Sequence, residues 1–321
     1  MASSNTHIVL PGGRKLPLLG FGTWQIKPEE VGRVIETAID CGYRHIDEAS
    51  LYGNEKGVGD GIKAKIDDGT IKREDLFVTS KLWVTDSHPS RVEPSCRQSL
   101  SDLGLAYLDL FLIHCPTSAV GGKGPFPMDD NGLFIGDDTI DYVDTWRIME
   151  SLVDKGLVRA IGVSNFTVAQ IQRVLDLPPK YPIANVQVEC HPFLAQNELI
   201  EFCKKQGITV TAYSPLGSPE RVLQKRATTD PLLMEDPVVC AIAKKRGVSP
   251  AQVLIRYQLQ RGVAVLPKSV MPSRIQQNFE ALNFELSKEE FQALVNLNKN
   301  YRLLNFAPMK NMKYYPFTDQ N

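Results

Sequence analysis

Short apolar runs alternate with amphipathic stretches along the whole chain. Eight runs read as strands: LGFGTW (19–24), HIDEA (45–49), FVTSKLW (77–83), LDLFLIH (108–114), AIGVSN (160–165), NVQVEC (185–190), TVTAYSPL (209–216) and VAVLPKS (263–269). Most are continuously apolar, the pattern of parallel strands covered on both faces. Between them the spacing predicts helices over 29–41, 54–66, 90–103, 141–155, 168–175, 197–206, 250–261 and 273–281. Gly57, Gly59 and Gly61 weaken the second helix. Two further helical stretches, 236–246 and 288–298, exceed an eightfold count. Ser249-Pro250, and Ser287 with Glu290 three residues on, are helix-start signals.

Strand–helix alternation of this kind implies an α/β fold with a parallel sheet. Eight strands leave a closed (β/α)8 TIM barrel or a doubly wound sheet. The doubly wound sheet calls for a GxGxxG turn after the first strand, and Gly20-Phe21-Gly22-Thr23-Trp24 is not one. The barrel is therefore expected. The leading IVLPGGRKLPLLG reads as a β-hairpin turning at Pro11-Gly12-Gly13 and capping the bottom of the barrel. Residues 117–139, 217–237 and the aromatic tail from 300 onward are too long for plain connections, which marks them as functional loops. No linker or repeat divides residues 1–321, so one barrel domain is expected.

Charge removes several function classes. The chain has 36 Lys+Arg against 37 Asp+Glu, a balance that points to neither nucleic acid nor a membrane surface as partner but leaves room for a local cationic site for a small anion. No apolar run approaches the roughly 20 residues of a spanning helix. MASSNTHIVLPGG lacks the features of a signal peptide. The six cysteines are scattered, without a CxxC pair, as suits a reducing compartment; a cytoplasmic location with no obligatory protein partner is expected. His114-Cys115 and Cys190-His191 do not complete a four-ligand zinc set, so no metal is expected. Asn165-Phe166-Thr167 is a formal glycosylation sequon without a secretory context. His45 and Arg44 read as structural.

In a parallel barrel the C-terminal strand ends face the active site. Asp47 ends the second strand with Tyr52 just beyond, Lys81 ends the third and His114 the fourth. Carbonyl reduction needs a hydride at carbon and a proton at oxygen. A phenol of pKa about 10 is a poor acid near neutrality, and an adjacent ammonium is expected to lower it. On this reading Tyr52 is the acid, Lys81 its tuner, Asp47 the partner of Lys81, and His114 the group that orients the substrate oxygen. Lys268 and Arg274, at the eighth strand exit and following helix start, suit a 2′-phosphate and thus NADPH over NADH. Trp24, Trp83, Phe126 and the tail are expected to line a pocket for a small carbonyl substrate. Two other functions compete: a lyase using Lys81 as a Schiff base, which Asp47 opposes, and a non-catalytic NADPH-binding or structural barrel.

GFGTW (20–24), YRHIDEASLYGNE (43–55), SKLW (80–83), LDLFLIHCP (108–116), IGVSNF (161–166), VQVECHP (186–192), YSPLG (213–217) and LPKSVMPSRIQQN (266–278) together resemble the aldo-keto reductase family, in order over nearly the whole chain. The subgroup with aldose reductases and hydroxysteroid dehydrogenases is most similar. The resemblance implies Tyr52 as proton donor with Asp47, Lys81 and His114. It implies that Ser164, Asn165 and Gln187 hold a nicotinamide carboxamide, that Tyr213 stacks on its ring, and that Ser214, Leu216 and Ser218 line the pyrophosphate path. Lys268, Ser269 and Arg274 would meet the 2′-phosphate and Gln277 and Asn278 the adenine, with Thr23, Trp24, Asp47 and Val270 completing the cofactor set. Two positions depart from the family. Met271 stands where relatives often carry a small hydroxyl residue, which removes one phosphate hydrogen bond. Cys115 replaces a frequent tryptophan, which is expected to enlarge the pocket and admit bulkier ketones, steroids included.

Overall fold

A computed structural model of the chain describes residues 6–218 and 230–318. Part of the 217–237 loop and the first five residues thus lie outside the described residues. Two short strands, β1 (His7–Val9) and β2 (Lys15–Pro17), form the antiparallel hairpin. Eight parallel strands follow: β3 (Phe21–Gly22), β4 (His45–Asp47), β5 (Phe77–Leu82), β6 (Leu110–Ile113), β7 (Ile161–Ser164), β8 (Asn185–Glu189), β9 (Thr209–Tyr213) and β10 (Ala264–Leu266). Each pairs with its sequence neighbour, β3 through β10. The ring closes where Val265 N–H donates to the Leu18 carbonyl at 2.7 Å and Gly20 N–H to the Val265 carbonyl at 2.9 Å. The expected (β/α)8 barrel is therefore formed.

β3 is shorter than its apolar run, and the chain just before it lies close to both neighbouring strands. A Cβ on Gly20 would lie 2.6 Å from both His45 and Leu266. The hairpin covers the N-terminal ends of the strands. Leu10 and Leu16 are buried in the main core, and Arg14 reaches Asp109 at the foot of β6. Asp109, the polar interruption of the fourth apolar run, also accepts from Arg73 at 2.8 Å and from Val78 N–H at 3.0 Å. It is the polar knot of the barrel floor.

The helices are α1 (Pro28–Cys41), α2 (Glu55–Asp67), α3 (Pro89–Leu103), α4 (Tyr142–Asp154), α5 (Val168–Leu175), α6 (Asn197–Lys205), α7 (Pro237–Arg246), α8 (Pro250–Gln260), α9 (Pro272–Phe279) and α10 (Lys288–Val295). The supernumerary pair, α7 and α10, lies against α8. Their Val239, Ile242 and Leu294 form one apolar cluster with Leu254 and Tyr257, so α8 is buried almost all round. Arg246 clamps Glu290 from α7 to α10 with two of its three nitrogens, Nε and Nη2. Both helix-start signals form capping boxes, Ser249 with Gln252 and Ser287 with Glu290. A third was not recognised. Thr167 caps α5 with Gln170, so the threonine of the sequon is employed there while its Asn165 is buried.

The glycines that weaken α2 in sequence have a packing reason. A Cβ on Gly61 would come 2.5 Å from the Gly32 carbonyl of α1, and one on Gly59 would come 2.4 Å from the Leu103 carbonyl of α3. Both obstacles are backbone and cannot turn aside. Gly59→Ala gains roughly 1 kcal/mol of helix propensity, but forcing two backbones apart costs about 1–3 kcal/mol. The clash wins, and urea unfolding is expected to register net destabilisation. An unchanged or raised midpoint contradicts this account.

Candidate active site

The C-terminal strand ends open into a cleft of about 660 Å³. Its floor is built from the ends of most of the strands, β3, β4 and β7 to β10 among them. Asp47 closes β4, and a single 3-10 turn, Ser50–Tyr52, follows at once. That turn ends at Gly53, whose φ of 66° is one a glycine adopts freely. Ser50 Oγ donates to the Lys81 carbonyl at 3.1 Å and pins the turn to β5. Asn54 donates to the carbonyls of Thr23 and Ile26, which fixes the start of α2 against the β3–α1 loop. The phenol of Tyr52 is thereby held over the end of β5.

Lys81 is 1 % exposed, and three acceptors surround its Nζ: Asp47 Oδ2 at 2.7 Å, the Glu48 carbonyl at 2.9 Å and Tyr52 Oη at 3.2 Å. Three acceptors are what an ammonium requires. Nothing in that arrangement frees an amine lone pair for Schiff-base chemistry. The other Asp47 oxygen accepts from Gln187 Nε2 of β8 at 2.7 Å, and the Asp47 carbonyl accepts from Thr23 Oγ1 at 2.8 Å. The carboxylate is thus tied to three strand ends. Because Lys81 donates to Tyr52, the phenolic hydrogen has no acceptor among the described residues. Trp24 lies beside it, ring centroids 4.8 Å apart.

Electrostatics corrects one expectation. The Lys81 ammonium was expected to lower the pKa of Tyr52. Burial instead pushes the phenol well above 10, and the nearby Asp47 and Glu48 carboxyl groups add to the rise. The physical reason is that the lysine charge is offset 2.7 Å away by Asp47. Tyr52 is kept as a neutral, proton-bearing phenol. His114 goes the other way. Burial first, and the Lys81 ammonium second, hold its pKa well below 6.5. Its ring sits 5.0 Å from Trp83 and 6.0 Å from Tyr52, and its Nδ1 is buried without a partner among the described residues.

The remaining predicted residues divide into those on the cleft wall and those off it. Ser164, Asn165, Gln187, Tyr213, Ser214, Leu216, Ser218, Lys268, Ser269, Val270, Arg274, Gln277 and Asn278 all border the cleft, with Thr23, Trp24 and Trp83. Asn165 adopts φ 62°, a conformation asparagine tolerates. It donates to the His114 carbonyl at 2.9 Å and to Ser164 Oγ at 3.2 Å, and accepts from Tyr213 Oη at 2.6 Å. Its amide is thus engaged within the protein at both ends. Ser269 Oγ accepts from Met271 N–H at 3.1 Å at the start of α9, and Met271 supplies no side-chain cap of its own. Arg274 and Gln277 are exposed, and Asn278 is buried.

Cys115 and Phe126 lie off the wall. Cys115 is buried in an apolar cluster with Val84, Phe134, Met309 and Met312 and is not among the residues that border the cleft. Burial pushes its thiol up to about 12. Phe126 is 38 % exposed and stands behind Trp83, whose indole N–H donates to the Pro125 carbonyl at 2.7 Å. Among the wall residues not singled out by number in sequence are Leu51, Met234, Leu304 and Phe306, the last two expected only as part of the tail. Leu51 precedes Tyr52 in the same turn, which was a usable signal. The other three come from loops whose path the local pattern does not fix.

Residues 18–299 match the sequence profile described as the Aldo/keto reductase family, so the chain belongs to that family and is an oxidoreductase of carbonyl chemistry. It is 50% identical over 300 residues to aldo-keto reductase family 1 member A1 of Rattus norvegicus, covering 93% of this chain and 91% of that protein. The Homo sapiens protein of that description is 49% identical over 298 residues, covering 92% and 90%. A solved structure of the aldose reductase from Schistosoma japonicum superposes with a TM-score of 0.90 at 40% identity, covering 98% of this chain and 99% of that one. Among the described residues no helix is long and apolar enough to cross a membrane.

A neutral His114 has a direct consequence. Nitrogen-detected NMR of the ring is expected to report a neutral imidazole at about pH 6, where an ordinary histidine is mostly charged. An imidazolium signature there would contradict the placement of His114.

Proposed function

We propose that this chain reduces aldehydes and ketones with NADPH, taking the proton from Tyr52. The observation that carries the reading is the direction of the Lys81–Tyr52 hydrogen bond. At 3.2 Å the ammonium occupies a lone pair of the phenolic oxygen, leaving its hydrogen for an acceptor in the cleft. As a carbonyl oxygen gains negative charge, it takes that hydrogen. Lys81 then stabilises the phenolate left behind, and Asp47 keeps Lys81 in register. Neutral His114 offers one ring N–H to the same oxygen and orients it.

The donor set fits a phosphorylated nicotinamide dinucleotide. Bound in the cleft, such a cofactor supplies the hydride. The Ser164 hydroxyl and the free carbonyl end of Gln187 are a donor and an acceptor suited to a carboxamide. Tyr213 offers a flat face, and Ser214, Leu216 and Ser218 continue the wall. Lys268, Ser269 and Arg274 gather at the start of α9, whose first-turn N–H groups favour an anion. Met271 adds no hydroxyl there. Thr23, Trp24, Asp47 and Val270, with Gln277 and Asn278 toward the adenine, complete the set. Trp24, Leu51, Trp83, Leu304 and Phe306 form an apolar wall that suits substrates with an apolar body, ketosteroids included. The reading takes residues 1–321 as one barrel domain working in the cytoplasm with no partner beyond its small substrates. Following NADPH absorbance with small aldehydes, sugars and ketosteroids tests it, and turnover of none would end it.

Tyr52→Phe is expected to keep NADPH affinity and lower turnover by roughly 10²–10⁴-fold; unimpaired turnover refutes the proton-donor role. Arg274→Ala is expected to weaken NADPH by about tenfold to a hundredfold, the loss of a charge-assisted hydrogen bond, and NADH far less. Titration of both nucleotides checks this, and equal weakening removes the phosphate role of Arg274.

A further inference from the structure

One buried carboxylate at the barrel top takes no part in the proposed chemistry. Glu189 closes β8 and is 0% exposed. Its Oε1 accepts from His191 Nε2 at 2.8 Å and from the Leu303 backbone N–H at 2.7 Å, and its Oε2 accepts from the Leu304 N–H at 2.9 Å. Burial alone would raise its pKa. The hydrogen bond from His191, the charge of Arg302 and the Leu303 N–H outweigh that, and the carboxyl stays below its ordinary value. A buried charge is costly to keep, and here much of what satisfies it comes from the tail, more than a hundred residues away.

The tail has a second anchor at its far end. Asp141 Oδ2 accepts from Tyr314 Oη at 2.7 Å and from Arg173 at 2.8 Å, and Gln170 donates to the Tyr314 carbonyl at 2.8 Å. Between the anchors, Leu304 and Phe306 face the cleft, while Met309 and Met312 are buried behind it. The Pro308 carbonyl accepts from Phe134 N–H at 2.8 Å. The strap is therefore held at both ends and seated along its length.

We propose that Glu189, with Asp141 at the far end, is a positioning residue for substrate selection. It clasps the backbone at residues 303 and 304, so that Leu304 and Phe306 stand as the outer wall against long apolar substrates. This rests on the reading of the cleft as a carbonyl-reductase site. Glu189→Gln keeps the shape but gives up the charge and one acceptor. Tyr314→Phe loosens the other anchor without touching the barrel interior.

The test uses the full chain with NADPH and two aldehydes of equal reactivity and different reach, propanal and decanal, together with limited thermolysin digestion of the tail. Glu189→Gln is expected to raise KM for decanal about tenfold, the loss of a charge-assisted hydrogen bond. KM for propanal, kcat and the NADPH Kd should stay within about twofold. Its tail should be cut sooner than that of the parent protein. Tyr314→Phe should move decanal in the same direction by less. Equal shifts for both aldehydes, or a faster-cut tail with unchanged decanal KM, overturn the proposal. If Glu189→Gln does not fold, Tyr314→Phe decides by the same two outcomes. A parent protein that reduces neither aldehyde refutes the carbonyl-reductase reading and selection with it, while the digestion still reports whether Glu189 holds the tail.

Discussion

The top of the barrel depends on one buried ion pair, Lys81 with Asp47, whose side chains are 1% and 5% exposed. Removing two charges from water costs several kcal/mol per ion, and the attraction between them repays this only when the remaining hydrogen-bonding capacity is also filled. Here it is filled. Gln187 takes the second carboxylate oxygen, and the Glu48 carbonyl and Tyr52 oxygen take the other ammonium hydrogens. The pair therefore joins β4, β5 and β8 and the turn that carries Tyr52. Its geometry fixes the direction of the Lys81–Tyr52 hydrogen bond, and that direction decides which way the phenolic proton is free to go. The same neutralisation explains why Tyr52 is not made more acidic in the free protein. A lysine compensated by a carboxylate at contact distance has little field left to act on a third group.

How far the sequence could be read follows from what kind of physics set each feature. The barrel was legible because burial on both faces of a parallel sheet imposes continuous apolar runs, and the runs ended on polar residues where the C-terminal rim had to be. Asp47, Lys81 and His114 stood out for that reason. Asp109 could be seen only as an interruption; that it ties Arg73, Arg14 and Val78 together at the floor depends on the hairpin folding beneath it. The glycines of α2 read as weakness because propensity is local, whereas the approach of Leu103 and Gly32 that requires them is not.

The pocket wall was the least legible part, and Cys115 and Phe126 illustrate why. Both were assigned to it from their position in the chain, and both lie behind it. Cys115 is enclosed by methionines about 200 residues later, and Phe126 stands half exposed with its ring edge-on to the indole that Pro125 holds. Wall residues such as Leu304 and Phe306 belong to a segment with no periodicity to read. Local pattern specifies elements, but loops are placed by long-range partners, here two carboxylates and a methionine-lined seat.

These two kinds of constraint are kept apart. Asp47 is satisfied wholly from within the barrel and its first loops, so the proton-donating arrangement does not draw on the tail. Glu189, two residues beyond Gln187 on the same strand, is satisfied in part by the tail, through the backbone N–H groups of Leu303 and Leu304 and the charge of Arg302. Backbone N–H groups are present whatever side chains residues 303 and 304 carry, so the two hydrogen bonds of the clasp place few demands on those positions. Substitutions at 304 and 306 would then change the surface of this wall without altering either the anchor or the buried pair beneath Tyr52. Reaction chemistry and substrate shape can then vary independently on one scaffold, because separate carboxylates hold each in place.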